Sequence, residues 1–268
     1  TAGTDLVALR FFLAQLLAAK VDEAIGKDAV PWFVRLAELE LGAARDAAAR
    51  YLASAAVTAM LHLPSTSLLE TSLRRWLEAM AVASSAEVAL AMLRCVAEEA
   101  QRATSMETNG EAPGHVVRSS AMHGSAASAR TRAVGPLSPQ AAAVLRRALP
   151  CIARLLAYIV APEDDDLYGH VQAGAPRTAY FKRASLQCLE TWLGFASALA
   201  LEGSAAMAEV LAEAVRAPAF VKVVLDAVPA DVDAASVLTA MIELAVHAAE
   251  AMTDSSATTP GTAAIHMV

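Results

Sequence analysis

The chain is expected to be all-α, and three observations carry that expectation. Alanine supplies 65 of the 268 residues, and it is the best helix former and a poor strand former. Apolar residues recur at three- and four-residue intervals rather than alternately. Asp, Ser and Pro stand where helices would begin, and β-branched runs are scarce.

The elements follow in order. Thr4 or Asp5 caps a first helix through about Lys20, with Leu6, Leu9, Leu13, Leu16 and Leu17 on one face. Asp28 caps a second helix. Pro31 sits in its first turn, where a missing N–H costs nothing. Val30, Phe33, Val34, Leu36 and Leu41 mark its apolar side and Gly42 ends it. Asp46 starts a third, Ala-rich helix reaching about Leu61. Pro64 and Ser65 break the chain before a fourth, marked by Leu68, Leu69, Leu73, Trp76, Leu77 and Met80. Ser84 with Glu87 three residues on forms a capping box for a fifth, carrying Val88, Leu90, Met92, Leu93 and Val96.

Residues 1–102 thus read as N-terminal helical repeats. Residues 103–136 lack any sustained apolar period and read as a flexible Ser/Ala/Gly-rich linker or insertion. Order resumes at Ser138, a cap followed by Pro139, and that helix runs to about Val160. An acidic run, Glu163 to Asp166, leads through a loop to a helix containing Leu186, Leu189, Trp192, Leu193 and Phe195. Met207 to Val215 and the stretch "APAFVKVVLDAV" continue the helical pattern. A last helix runs from Asp233 to about Met252, so residues 137–252 form a C-terminal set of repeats. Residues 253–268 read as a disordered tail.

Composition excludes several function classes. The net charge is −7, so nothing neutralises a phosphate backbone and nucleic-acid binding is not expected. An acidic surface suits a basic protein partner or a larger assembly. The longest uncharged run, Tyr51 to Leu69, is interrupted by "HLPSTS"; a membrane span needs about 20 continuous, mainly apolar residues. Cys95, Cys151 and Cys188 are odd in number and far apart, which reads as buried free thiols in an intracellular, cytoplasmic compartment rather than a disulfide framework or zinc site.

Self-similarity points to repeats. "AARYLASAA" (Ala48–Ala56), "ALAMLRCVA" (Ala89–Ala97) and "AASVLTAMI" (Ala234–Ile242) recur as the second helix of a pair, the first two starting about 40 residues apart. "AVPWFVRLAEL" followed by "DAAARYLASAA" resembles an armadillo repeat. It is similar to that family's second helix, with its V-P-x-x-V-x-L pattern, joined to a third with A-A-x-A-L-x-N-L-A. HEAT repeats fit almost as well. Ser54, Cys95 and Thr191 stand at the family's Asn position. Arg50, Ala91 and Gln187 stand where nuclear-import receptors place Trp, so the ladder that clamps basic localisation signals is absent.

The resemblance implies an armadillo/HEAT-like α-solenoid of about four to five helical repeats with a long internal loop. It also implies a concave groove lined by third helices, and Arg50, Ser54, Gln187 and Thr191 are the candidate groove residues. The competing architecture is a compact bundle with Ala-rich seams.

Catalytic chemistry finds little footing. No nucleophile elbow, phosphate loop or dinucleotide fingerprint occurs. His62, His115, His123, His170, His247 and His266 form no recognisable ligand pair, and the Glu163–Asp166 run reads as a solvated loop. "KRASL" makes Ser185 a candidate phosphosite, and Ser119 and Ser120 after Arg118 are two more. Trp32, Trp76 and Trp192 read as core anchors. The expected function is a non-catalytic scaffold, with no metal or cofactor, binding a protein partner. The alternative is a helical regulatory or accessory domain of a larger enzyme or assembly.

Overall fold

The computed structural model describes residues 2–23, 29–108, 137–161, 178–199 and 218–257. Every regular element among them is a helix, nine in all: α1 (Ala2–Glu23), α2 (Val30–Ala43), α3 (Ala47–Leu61), α4 (Ser67–Ala79), α5 (Ala83–Thr108), α6 (Pro139–Val160), α7 (Ala179–Leu199), α8 (Pro218–Ala227) and α9 (Val232–Ala257). The expected stretches Glu163–Asp166 and Met207–Val215 lie outside the described residues.

Four helix starts are closed by side chains, α9 by Asp231 Oδ1, which accepts from the Asp233 N–H at 2.9 Å. Asp46 Oδ1 accepts from the Ala49 N–H at 2.9 Å, Ser138 Oγ from Ala141 at 3.1 Å, and Thr178 Oγ1 from Phe181 at 3.1 Å. Each satisfies a donor that has no partner within the helix. Two local expectations are corrected. Helix α2 runs through Gly42 to Ala43, and the chain turns instead at Arg45, whose φ of 47° is left-handed. Arg45 holds that unfavoured conformation while its guanidinium pairs with Glu87. Helix α5 begins at Ala83, so Ser84 lies within the first turn instead of capping it. Ser85 Oγ donates back to the carbonyls of Ala79 and Val82.

Two helices extend beyond their expected ends. Helix α5 continues to Thr108, with Ala103 and Thr104 buried, and α9 continues to Ala257. Helix α6 keeps Pro150 in its interior without interruption.

The order of packing is regular. Helix α3 packs on α1 and α5, α5 on α3 and α7, and α7 on α5 and α9. Each even-numbered helix packs on the odd one that follows it: α2 on α3, α4 on α5, α6 on α7 and α8 on α9. The α5–α7 approach is close. A Cβ on Gly194 would stand 3.0 Å from Gln101 Nε2, tighter than ordinary contact. One apolar cluster links all nine helices, with Trp192, Phe181, Phe195, Phe220 and Met60 among its largest members. Alanines such as Ala37, Ala53, Ala97 and Ala153 are buried along it and let the backbones approach.

Burial corrects three sequence expectations. On α1 the sunken stripe is Ala14 and Ala18, with Phe11 and Leu17 packed beside them, while Leu9, Leu13 and Leu16 are exposed. Phe11 meets Tyr51 of α3 edge-on, ring centroids 5.5 Å apart. Trp76 and Trp192 are buried, but Trp32 is 78% exposed. The core face of α2 is Val30, Phe33, Val34, Ala37 and Leu41, and Trp32 lies about 100° away from Phe33 around the helix. Cys95 and Cys188 are buried free thiols, but Cys151 is exposed. Among the described residues no helix is long and apolar enough to cross a membrane.

Candidate polar seam

Successive turns of α3, α5 and α7 each carry a polar stripe at four-residue spacing, set into otherwise apolar helices: Arg50 and Ser54, then Arg94, Glu98 and Arg102, then Arg183, Gln187 and Thr191. Because the three helices pack in succession, the stripes meet.

Between α3 and α5 the meeting point is Glu99, only 2% exposed. Its carboxylate accepts from Ser54 Oγ at 2.5 Å, Thr58 Oγ1 at 3.1 Å and Arg102 Nη1 at 2.5 Å. A buried charge is tolerated only when its lone pairs are taken up in this way.

Between α5 and α7, Arg94 is the bridge. Its Nε donates to Glu98 at 2.8 Å and its Nη1 to Gln187 Oε1 at 2.9 Å. From α7 to α9, Gln187 Nε2 donates to Asp233 Oδ1 at 3.2 Å, and Arg183 pairs with the other oxygen of Asp233. Glu190, half-buried beside this junction, has its carboxyl pushed above the usual range. Burial is the main cause and the Asp233 charge adds to it; Arg94 and a hydrogen bond from Ser236 act the other way.

The four residues singled out from sequence lie along this seam, in two pairs separated by α5. Arg50 is exposed one turn before Ser54. Ser54 is occupied by Glu99, Gln187 by Arg94 and Asp233, and Thr191 Oγ1 donates to the Gln187 carbonyl at 2.9 Å. Sequence reasoning missed Arg94, Glu98, Glu99, Arg102, Arg183 and Asp233. The spacing of Arg94, Glu98 and Arg102 was a readable signal, whereas the family pattern pointed to Cys95, which is buried.

Ser185 is fully enclosed, its Oγ donating to the Phe181 carbonyl at 2.9 Å. Phosphorylation there requires α7 to open. Ser119 and Ser120 lie outside the described residues, and so does the side chain of His247. Among the described residues no group of three or more His, Cys, Asp or Glu is placed to hold a metal ion. The two buried thiols are held in their neutral form. Burial, with the Glu98 and Glu99 charges behind it, pushes Cys95 up to about 12, and burial pushes Cys188 up further.

The seam offers hydrogen-bond donors and acceptors in an ordered row. Its guanidinium groups reach further into solvent than several of the carboxylates they pair with: Arg102 is well exposed above Glu99, and Arg183 above Asp233. Such a row can grip carboxylates or backbone carbonyls of a bound chain. The chain matches no family model, no curated protein and no solved structure.

Proposed function

We propose that the chain is a non-catalytic helical-repeat scaffold of armadillo or HEAT type, binding an extended segment of a protein partner along the α3–α5–α7–α9 seam. The packing order supports this reading. Four even–odd helix pairs, each set beside the next, accord with a stack of about four to five repeats in which neighbours share one core.

One observation carries the choice of ligand chemistry. Arg50, Arg102 and Arg183 project outward while Glu99 and Asp233 are recessed beneath them, and Arg94 and its partner Glu98 are about equally exposed between them. The net charge of −7 taken alone favours a basic partner. The local side chains favour a segment bearing carboxylates, and contacts at a few ångströms outweigh a diffuse, salt-screened field. A cytoplasmic setting fits the free thiols.

Titration of oligoglutamate and oligolysine peptides of equal length, followed by fluorescence anisotropy, tests the proposal. Oligoglutamate is expected to bind, more weakly as salt rises, and Arg50→Glu to weaken it about tenfold, which corresponds to about 1.4 kcal/mol. Preference for oligolysine, binding of neither peptide, or indifference to Arg50→Glu would overturn it.

A further inference from the structure

We infer that Glu98 is a built-in competitor at the centre of the seam, so that the bound segment places carboxylates over α3 and α7 but a neutral hydrogen-bond acceptor over α5. The inference rests on the seam being the binding surface, and it adds a pattern to the ligand.

The helices of the seam run parallel, which fixes the order of groups that a crossing segment meets. Arg45, just ahead of α3, pairs with Glu87 early in α5, and Ser54 and Thr58 further along α3 reach Glu99 further along α5. Likewise Arg94 meets Gln187, and seven residues on in both helices Gln101 lies against Gly194. Arg50 precedes Ser54 by four residues and Arg94 precedes Glu99 by five. The two arginines therefore stand at nearly the same height, with Gln187 beside them and Arg183 one turn away. Packed helix axes lie about 8–10 Å apart and an extended chain advances about 3.3 Å per residue, so a segment crossing from α3 to α7 takes about three residues per step. It passes Arg50, then Arg94, then Arg183.

These three positions are not alike. Arg50 is exposed and makes no side-chain bond among the described residues. Arg183 is 61% exposed above Asp233, which is 16% exposed. At α5 the partner Glu98 is 38% exposed against 42% for Arg94, so the carboxylate lies beside the guanidinium rather than beneath it. A guanidinium grips a carboxylate with both oxygens along one of two edges, Nε with Nη2 or Nη1 with Nη2. Glu98 already takes Nε at 2.8 Å, and Gln187 Oε1 takes Nη1 at 2.9 Å. Each edge is thus half filled, and Nη2 alone is unshared among the described contacts. Glu190 of α7 brings a second carboxyl into the field of Arg94. An incoming carboxylate meets two carboxyls here and keeps at most one bond. A backbone carbonyl or a side-chain amide needs only one donor and brings no charge.

Fluorescence anisotropy with two labelled peptides of about nine residues, enough to cross the three helices, tests the inference. One peptide is all glutamate, and the other carries glutamine in its middle third. The wild-type chain is expected to bind the two within about twofold of each other, although the second has fewer charges. Glu98→Ala, a helix-favouring change at a part-exposed site, is expected to keep the helicity seen by circular dichroism. It is expected to tighten the all-glutamate peptide about three- to fivefold and to leave the other nearly unchanged. In the Arg94→Gln background the same substitution is expected to gain less than about twofold, because the gain comes from Arg94 and not from a diffuse loss of negative charge. The inference is overturned by a wild-type preference for the all-glutamate peptide beyond twofold, by no tightening in Glu98→Ala, or by an undiminished gain alongside Arg94→Gln. In each of those cases the seam reading stands as long as Arg50→Glu still weakens binding. Failure of both peptides to bind overturns the two together.

Discussion

Replacing Ser54 by alanine removes one of the two hydroxyl donors to Glu99 and leaves a buried carboxylate less well satisfied. A hydrogen bond to a charged group contributes about 1.5–3 kcal/mol. Thr58 and Arg102 remain, and Arg102 is half-exposed and admits water, so the cost falls toward the low end, at about 2 kcal/mol. For a chain of this size that lowers the melting temperature by about 4–8 °C. Glu99→Gln provides the internal comparison. With a neutral acceptor the same hydroxyl contributes only about 1 kcal/mol, so Ser54→Ala costs about half as much in that background. The resulting coupling of about 1 kcal/mol stands clear of the ~0.3–0.5 kcal/mol scatter expected for independent sites. Urea denaturation of the four proteins in this cycle, followed by far-UV circular dichroism, measures it. Equal costs of Ser54→Ala in both backgrounds would show that the Ser54–Glu99 contact does not stabilise a charge, and the account of the seam's first junction would fail.

Three further outcomes are expected. Trp76→Phe destabilises more than Trp192→Phe, by about 1.5–3 kcal/mol, although both residues are buried. The Trp76 indole N–H donates to Glu38 at 2.7 Å, whereas Trp192 Nε1 has only the neighbouring Cys188 sulfur and no oxygen or nitrogen acceptor; denaturant midpoints decide it. One thiol, Cys151, reacts rapidly with a chromogenic disulfide reagent in the folded chain, and Cys95 and Cys188 react only after denaturant is added. Three fast thiols would contradict the burial of α5 against α7. Glu190 has its folded pKa above its unfolded one, so its contribution is fully present below the unfolded value and is lost as pH rises through the folded value. Glu190→Gln should therefore raise stability at neutral pH and flatten the pH profile between those two values; a Glu190→Gln profile parallel to wild type would refute the assignment.

Helix identity was legible because alanine content, apolar spacing and the caps Asp46 and Ser138 all agree on it. Helix faces were less so. The Leu9–Leu13–Leu16 stripe is the more apolar side of α1, yet the side that packs is Ala14 and Ala18, because close backbone approach to α3 needs small residues. Trp32 could have been placed on the surface from the angle it makes with Phe33 and Val30, which geometry supplies but hydrophobicity obscures. The α2–α3 corner falls where Gly42 and Asp46 bracket it, with α2 ending one residue later at Ala43, but its left-handed residue is Arg45 rather than the glycine, with Glu87 as its partner. Half of the candidate seam was visible as polar positions within apolar helices. Asp233 was not, since its role depends on α9 lying beside α7, a pairing of elements about 46 residues apart that no local pattern encodes.

The thin alanine footing of α1 gives the molecule an uneven resistance to opening. Among the described side chains, α1 is held by two buried alanines, the flanking Phe11 and Leu17 and the Arg10 bridges, whereas α5 is enclosed by leucines, Met92 and the buried glutamate. Amide protons of α1 will therefore trade with solvent deuterium well before those of α5. The first cooperative step of unfolding is expected to peel the amino-terminal helix from the remaining packed helices.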